Sequence, residues 1–106
     1  GARPLVIDAD EHDRIVARTS GLPHLLAYAL VHATGPLGDS LGALAATGYH
    51  GATRLARSDP RMVAAFLSAN AAETRAAAAE LRTALEALVE RLDDEAALAA
   101  ALGGGR

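Results

Sequence analysis

Three polar side chains in the first quarter of the chain have types and spacing that could form one wall of a site. Asp13, Ser20 and His24 are seven and four residues apart. At roughly 100° per residue they fall within about 40° of one another around an α-helix. A Ser-His-Asp hydrolase fits them poorly, because Ser20 lacks the flanking glycines of the G-x-S-x-G turn that holds a nucleophilic serine. The pattern therefore predicts a polar line facing a bound molecule.

Each of these residues also has a structural interpretation. His24 can be a half-buried histidine with a satisfied hydrogen bond. Ser20 can bond back to its own helix, and Asp13 can interact with the dipole of a first helical turn. Pro23 favours the site interpretation, because an interior proline leaves the carbonyl of Thr19 without its helical partner. A helix that has both a polar line and an interior proline is costly to build if it serves only as a scaffold.

Two arginines, Arg54 and Arg57, form a candidate for anion binding. A guanidinium can hold a carboxylate through two parallel hydrogen bonds. His50 and Tyr49 lie four and five residues before Arg54 and could line the same place. The alternative is a pair of solvated arginines, the usual state of such residues.

The histidines and glycines do not form a metal or phosphate motif. His12, His24, His32 and His50 lack the paired spacing and acidic companion of a helical zinc site. Neither GxGxxG nor GK[ST] occurs in the sequence.

The composition indicates a small domain that needs a partner. Of the 106 residues, 51% are apolar but only 3% are aromatic. Alanine-rich helices bury little area per residue, so a lone domain of this size would be marginally stable. The net charge of −3 gives no electrostatic case for nucleic-acid binding. The absence of cysteine fits the cytoplasm, and no apolar run is long enough to suggest a membrane partner.

The apolar spacing predicts an all-α fold of about five to six helices after a short lead-in. The lead-in, Gly1–Asp8, has the β-branched apolar run of an extended segment. Asp10 is predicted to cap a first helix that runs to about Ala33. The turn-forming run Thr34–Pro36 is predicted to stop it.

The middle of the chain predicts two shorter helices. The first covers Gly38–Gly48, with Asp39 or Ser40 as its N-cap. The second covers Tyr49–Arg57 and carries both arginines and His50.

The second half predicts three more helices. Asp59 and Pro60 have the types expected at the N-cap and first position of the next one. A longer helix is predicted from Asn70 to about Asp93. A last short one runs from there through Leu102. The longer helix carries leucines at heptad spacing, which predicts lengthwise packing against another helix: Leu81, Leu85, Leu88 and Leu92.

The order of these motifs resembles the prephenate and arogenate dehydrogenases of tyrosine biosynthesis. The motifs of that family read roughly HD, S-H-L-P-H and T-R-[IL]-A-x-S-D-P, followed by L-x-N. The chain carries three motifs in register, at Glu11–Asp13, Ser20–His24 and Thr53–Pro60, and the stretch that follows them is Arg61–Asn70. The resemblance covers about residues 1–70, and the alanine-rich end matches only in being helical.

The resemblance implies a two-domain enzyme of which this chain is the second domain. In that family a Rossmann domain binds NAD or NADP, and an all-helical domain forms a homodimer and completes the substrate pocket. Residues 1–8 would be the end of the absent nucleotide-binding domain. Residues 9–106 would be the helical dimerisation and substrate-binding domain. The implied reaction is oxidative decarboxylation of prephenate to 4-hydroxyphenylpyruvate, with hydride transfer to the cofactor.

The resemblance also implies roles for individual residues. Arg54 matches the family arginine that holds a substrate carboxylate. His24 and Ser20 match residues that line the pocket, and Asp13 matches an acid at its edge. His50 is expected beside Arg54. No catalytic residue is expected in this chain, since the family's hydroxyl-activating histidine lies in the Rossmann domain.

The chain departs from the family pattern in two places. Gly21 stands where the family often has histidine. His50 and Gly51 stand where glutamine, arginine or lysine is followed by aspartate. These departures leave open the choice between prephenate and arogenate, and also tyrosine feedback inhibition. Two other hypotheses are a non-catalytic helical dimerisation module and the helical domain of another two-domain dehydrogenase.

Overall fold

The structure is a computed structural model that describes the backbone of residues 7–41 and 46–104 and the side chains of residues 7–35 and 48–104. A π-helical segment, Ala17–Gly21, joins the first two helices, and a 3₁₀ turn, Arg54–Arg57, follows the third. No strand occurs in this part of the chain, so the prediction of an all-α fold is confirmed. The helices are α1 (Ala9–Val16), α2 (Leu22–Leu41), α3 (Ala46–Thr53), α4 (Pro60–Ala69), α5 (Ala71–Val89) and α6 (Glu95–Gly103).

Aspartates cap three of these helices. Asp59 accepts a hydrogen bond from the amide of Arg61 at 3.0 Å, and Pro60 opens α4, as predicted. Asp94 likewise caps α6. The prediction of Asp10 as the first cap is wrong. Asp8 is the N-cap of α1, because its carboxylate accepts from the amide of Glu11 at 2.7 Å and Asp10 lies within the first turn.

The predicted end of the first long helix is also wrong. The Thr34–Pro36 run does not stop α2, which continues to Leu41. The hydroxyl of Thr34 donates to the carbonyl of Leu30 at 2.8 Å and also contacts the hydroxyl of Tyr49 at 3.0 Å. A breaker sequence is a local preference only, and contacts such as that of Thr34 with Tyr49 can outweigh it.

The two middle helices are divided differently from the prediction. Residues 38–41 belong to α2, so no helix begins at Gly38, and Gly48 lies inside α3 rather than at a helix end. The predicted Tyr49–Arg57 helix is α-helical only to Thr53 and then tightens into the 3₁₀ turn. Residues 42–45, and residues 1–6 of the predicted extended lead-in, lie outside the described residues.

The last two helices follow the prediction, except that α5 ends earlier than predicted. The predicted helix from Asn70 to Asp93 ends at Val89, and a turn covers residues 90–93. The final helix begins after Asp94, close to its predicted start. Among the described residues no large side chain is fully buried, and the buried apolar positions are mostly alanines. This agrees with the expectation that the helices bury little area per residue.

The chain divides into two compact units, Gly1–Thr74 and Arg75–Arg106. In the first unit α2 lies against α3 and the 3₁₀ turn, and the π-helical segment lies against α4. Buried threonines there bond to backbone carbonyls: the hydroxyl of Thr53 donates to Tyr49, and that of Thr74 to Asn70. The second unit contains most of α5 and all of α6.

Candidate functional site

The π-helical segment replaces the uninterrupted helix expected from the sequence. The amide of Leu22 bonds to the carbonyl of Ala17, five residues back instead of four. Pro23 comes directly after Leu22 and has no N–H to continue an α-helical ladder. A π turn contains one extra residue, so a constant 100° per residue does not hold between Asp13 and His24.

His24 is anchored by the backbone of the same segment. Its Nδ1 lies 2.8 Å from the carbonyl oxygen of Ser20. A carbonyl oxygen can only accept, so Nδ1 must carry the hydrogen. In the neutral imidazole the lone pair is therefore on Nε2. This nitrogen makes no hydrogen bond or ion pair within the described part of the chain.

An aromatic contact fixes the plane of the His24 ring. The ring meets Phe66 of α4 edge to face, with centroids 5.2 Å apart and planes at 84°. Both side chains are half-buried. The imidazole is thus held by one hydrogen bond and one ring contact while Nε2 stays available to a ligand.

Asp13 is not joined to that pair. It is exposed, and its carboxylate lies 3.4 Å from Nδ1 of the adjacent His12. Within the described residues no hydrogen bond or ion pair connects its side chain to Ser20 or His24. The structure thus brings together Ser20 and His24 but leaves Asp13 apart, near the end of α1.

The two arginines of the 3₁₀ turn, Arg54 and Arg57, differ in their side-chain contacts. Nη2 of Arg57 lies 3.4 Å from the carbonyl of His50. Arg54 is exposed and has no hydrogen-bond or ion-pair partner among the described residues. The imidazole of His50 packs edge to face on Tyr49, with centroids 6.1 Å apart. Among the described residues, Arg57 thus has one long contact to a backbone carbonyl, whereas the guanidinium of Arg54 has none.

The 3₁₀ turn is tied to α2 by a tyrosine. The hydroxyl of Tyr28, four residues after His24, donates to the carbonyl of Ser58 at 2.6 Å. An apolar cleft of about 180 Å³ lies beside Tyr28, lined by Leu25, Tyr28, Pro60, Val63, Ala64 and Leu67. It contains none of the predicted site residues. Sequence reasoning misses Tyr28, because a lone tyrosine carries no pattern.

A second set of contacts missed from the sequence surrounds the π-helical segment. Nδ2 of Asn70 donates to the carbonyl of Asp13 at 2.8 Å. Nη1 of Arg18 lies 3.1 Å from Oε2 of Glu73. The partners are about 55 residues apart in the chain. The sequence marks Asn70 only as the end of the stretch Arg61–Asn70 and as the start of a predicted helix.

A comparison with models of protein families shows to which family the chain belongs. The family model described as prephenate dehydrogenase, dimerization domain, matches residues 8–102. The chain belongs to this family. The match extends the sequence resemblance from the first 70 residues through α6, so the alanine-rich end is part of the prephenate dehydrogenase dimerization domain.

Other comparisons add less about this dimerization domain. No curated protein matches the chain. No helix in the described ranges is both long enough and apolar enough to cross a membrane. Within the same ranges no group of three or more histidine or acidic side chains is arranged to hold a metal ion.

Proposed function

We propose that this chain is the C-terminal domain of an NAD- or NADP-dependent prephenate or arogenate dehydrogenase. In the proposed reaction the hydride leaves the ring carbon that bears the hydroxyl group and goes to the cofactor. The hydroxyl proton goes to a base as the ring ketone forms, the ring carboxylate then leaves as carbon dioxide, and its bonding electrons make the ring aromatic while the ring oxygen takes a proton back. The family match over residues 8–102 supports this proposal.

The observation that carries the site proposal is the bond between Nδ1 of His24 and the Ser20 carbonyl. It leaves Nε2 as an acceptor on a ring whose position is fixed by Phe66. An immobilised acceptor can orient a substrate hydroxyl without losing side-chain freedom on binding. We place Ser20 and His24 on the substrate side of the π-helical segment, with Asp13 at the edge.

Arg54 is the proposed carboxylate ligand. Its guanidinium is exposed and unpaired in the described part of the domain, while Arg57 already contacts a backbone carbonyl. Two parallel N–H donors match the two oxygens of a carboxylate. Prephenate and arogenate both carry carboxylates, so this contact fits either substrate. His50, which packs on Tyr49 just before the 3₁₀ turn, is proposed to line the site.

The cofactor is assigned to a preceding domain. The described residues contain no strand followed by a glycine-rich turn, the structure that receives a dinucleotide pyrophosphate. Residues 1–8 are proposed as the end of that domain and residues 9–106 as the helical domain. When bound there, the nicotinamide ring would accept the hydride. This chain alone should then show no binding heat with NAD or NADP in a calorimeter.

The proposed homodimer contact is the apolar face of the second unit. Four large apolar side chains there are more than half exposed: Leu85, Val89, Leu92 and Leu102. Two of them belong to the heptad series predicted to pack against another helix. A second copy of the domain would cover this face, and the printed description of the family supports that choice of partner.

The deciding experiment is an assay of the full-length protein that follows reduction of the cofactor. Each substrate, prephenate or arogenate, is tested once with NAD and once with NADP. Turnover of either substrate, reduced by Arg54→Ala but not by Arg57→Ala, would support the proposal. Lack of turnover with every combination would reject it and leave a non-catalytic dimerization module.

A further inference from the structure

We propose that Asn70 and the Arg18–Glu73 pair are positioning residues that hold the π-helical segment in its register. The register in turn places His24 against the Ser20 carbonyl. The part of this inference that concerns catalysis rests on the proposed function. The part that concerns the state of the His24 ring does not.

The Asn70 contact lies at the start of the π-helical segment. The carbonyl of Asp13 accepts the amide of Ala17, the first residue of the segment. The same carbonyl accepts Nδ2 of Asn70 at 2.8 Å, so both of its lone pairs are occupied. Asn70 thereby ties the beginning of α5 to the last turn of α1.

The ion pair holds the segment itself. Arg18 is the second residue of the segment, and its Nη1 reaches both the carbonyl of Arg14, at 3.0 Å, and Oε2 of Glu73, at 3.1 Å. The two side chains are about one quarter and one third exposed, so water screens the pair only in part. Glu73 lies three residues after Asn70, so both contacts come from one turn at the start of α5.

Thr74 lies close to the other end of the segment. Gly21, the last residue of the segment, is buried, and a Cβ built on it would lie 3.6 Å from Oγ1 of Thr74. The hydroxyl of Thr74 donates to the carbonyl of Asn70. The start of α5 therefore holds the carbonyl of Asp13, which bonds the first amide of the segment, pairs with Arg18 within the segment, and lies beside Gly21 at its end.

Register matters because two arrangements of the backbone compete. In the α register the amide of Leu22 would bond to Arg18, whereas in the observed π register it bonds to Ala17. A change of one residue rotates α2 by roughly 100° relative to α1. His24 and its partner carbonyl lie at that junction, so contacts that select the register also select the hydrogen bond of Nδ1.

The test uses the full-length protein labelled with 15N-histidine, with His24 assigned by substitution. The imidazole 15N shifts report which ring nitrogen carries the hydrogen, at a pH high enough to keep the ring neutral. Asn70→Asp replaces the amide donor with an acceptor of the same size, and Glu73→Ala removes the partner of Arg18. Both are expected to move His24 towards the Nε2–H tautomer and to lower kcat/KM about tenfold.

Two further variants separate positioning from stability. Glu73→Gln keeps an acceptor oxygen and is expected to recover most of the loss seen in Glu73→Ala. Asp94→Ala removes the cap of α6 in the second unit. Asp94→Ala is expected to lower Tm by about as much as Asn70→Asp and Glu73→Ala do. It is expected to leave the His24 shifts and kcat/KM unchanged.

Unchanged His24 shifts in both Asn70→Asp and Glu73→Ala would overturn the inference. Altered shifts in a protein that turns over neither substrate would reject the proposed function but support the positioning role. A fall in kcat/KM for Asp94→Ala as large as that for Asn70→Asp would attribute the effect to stability and would also overturn the inference.

Discussion

Nδ1 of His24 donates a hydrogen bond to the carbonyl oxygen of Ser20 over 2.8 Å. The donor and acceptor are separated by one helical turn that includes Pro23, where the backbone cannot supply an amide hydrogen. The imidazole thus serves as a backbone-bound group whose remaining nitrogen has a defined role as an acceptor. Orientation of a histidine by a backbone carbonyl is a common way to prepare it for ligand binding.

His24→Asn should separate the two functions of this ring. The asparagine amide can still donate to the Ser20 carbonyl, but it has no counterpart of Nε2. We expect Tm to stay within about 2 °C and kcat/KM to fall about 3- to 30-fold, the loss of one hydrogen bond to substrate. Steady-state kinetics and thermal denaturation measure these changes.

Two controls accompany this variant. His24→Ala should show the same kinetic loss together with a lower Tm. His32→Asn, at an exposed position of α2, should change neither quantity. Kinetics of His24→Asn equal to the unsubstituted protein would show that Nε2 does not touch the substrate.

Arg54→Ala should raise KM with little effect on folding. The guanidinium has no partner in the described part of the chain, so its loss leaves no protein group unpaired. A charge-assisted hydrogen bond contributes about 1.5–3 kcal/mol, which corresponds to a loss of roughly 10- to 200-fold in kcat/KM. Arg57→Ala is the matched control three residues away and should leave KM unchanged. Equal losses of Tm and kcat/KM in Arg54→Ala would make Arg54 a structural residue.

Asp8 and Asp10 should differ in their effect on stability. Asp8 caps α1 through a bond of 2.7 Å to the amide of Glu11, whereas Asp10 lies in the first turn. Asp8→Ala should lower the free energy of unfolding by about 1 kcal/mol, or Tm by about 5 °C. Asp10→Ala should cost less than half of that, through the helix dipole alone. Thermal denaturation at one fixed protein concentration compares them, and the reverse ranking would restore Asp10 as the cap.

Leu92→Asp should dissociate the proposed dimer without unfolding its subunits. Leu92 is 63% exposed in the single chain, so its replacement disturbs little within the subunit. Burial of one leucine contributes about 1.5–3 kcal/mol, and a two-fold symmetric contact loses it twice, so Kd should rise at least about a hundredfold. Light scattering and circular dichroism report mass and helicity.

An exposed apolar residue of the first unit provides the control for Leu92. Met62 on α4 is 57% exposed, and Met62→Asp should leave the dimer intact. If the unsubstituted chain is a stable monomer at micromolar concentration, the proposed contact is wrong.

Much of the fold can be predicted from local sequence signals. Asp59 with Pro60 predicts the start of α4, and Asp94 the start of α6, because caps depend on residues adjacent in the chain. The continuation of α2 past Gly35 could not be predicted, since no local signal indicates packing such as that of Thr34 on Tyr49. Breaker residues express a preference that such packing can outweigh.

The candidate site could be predicted only in part for a related reason. Ser20 and His24 lie four residues apart, so helical periodicity is enough to place them together. Asp13 is placed with them only if the rotation per residue is constant, and the π-helical segment removes that assumption. The contacts of Asn70 and Glu73 cross more than fifty residues, and no local pattern indicates them.

The glycine at position 21 has a consequence for comparisons between members of the family. A Cβ there would lie 3.5 Å from Cδ2 of Leu67 and 3.6 Å from Oγ1 of Thr74, so a methyl group fits in ordinary contact. A larger side chain must extend past neighbours that its own Cβ already touches. Positions 21, 67 and 74 are therefore in direct spatial contact, and a histidine introduced at position 21 alone would crowd Leu67 and Thr74.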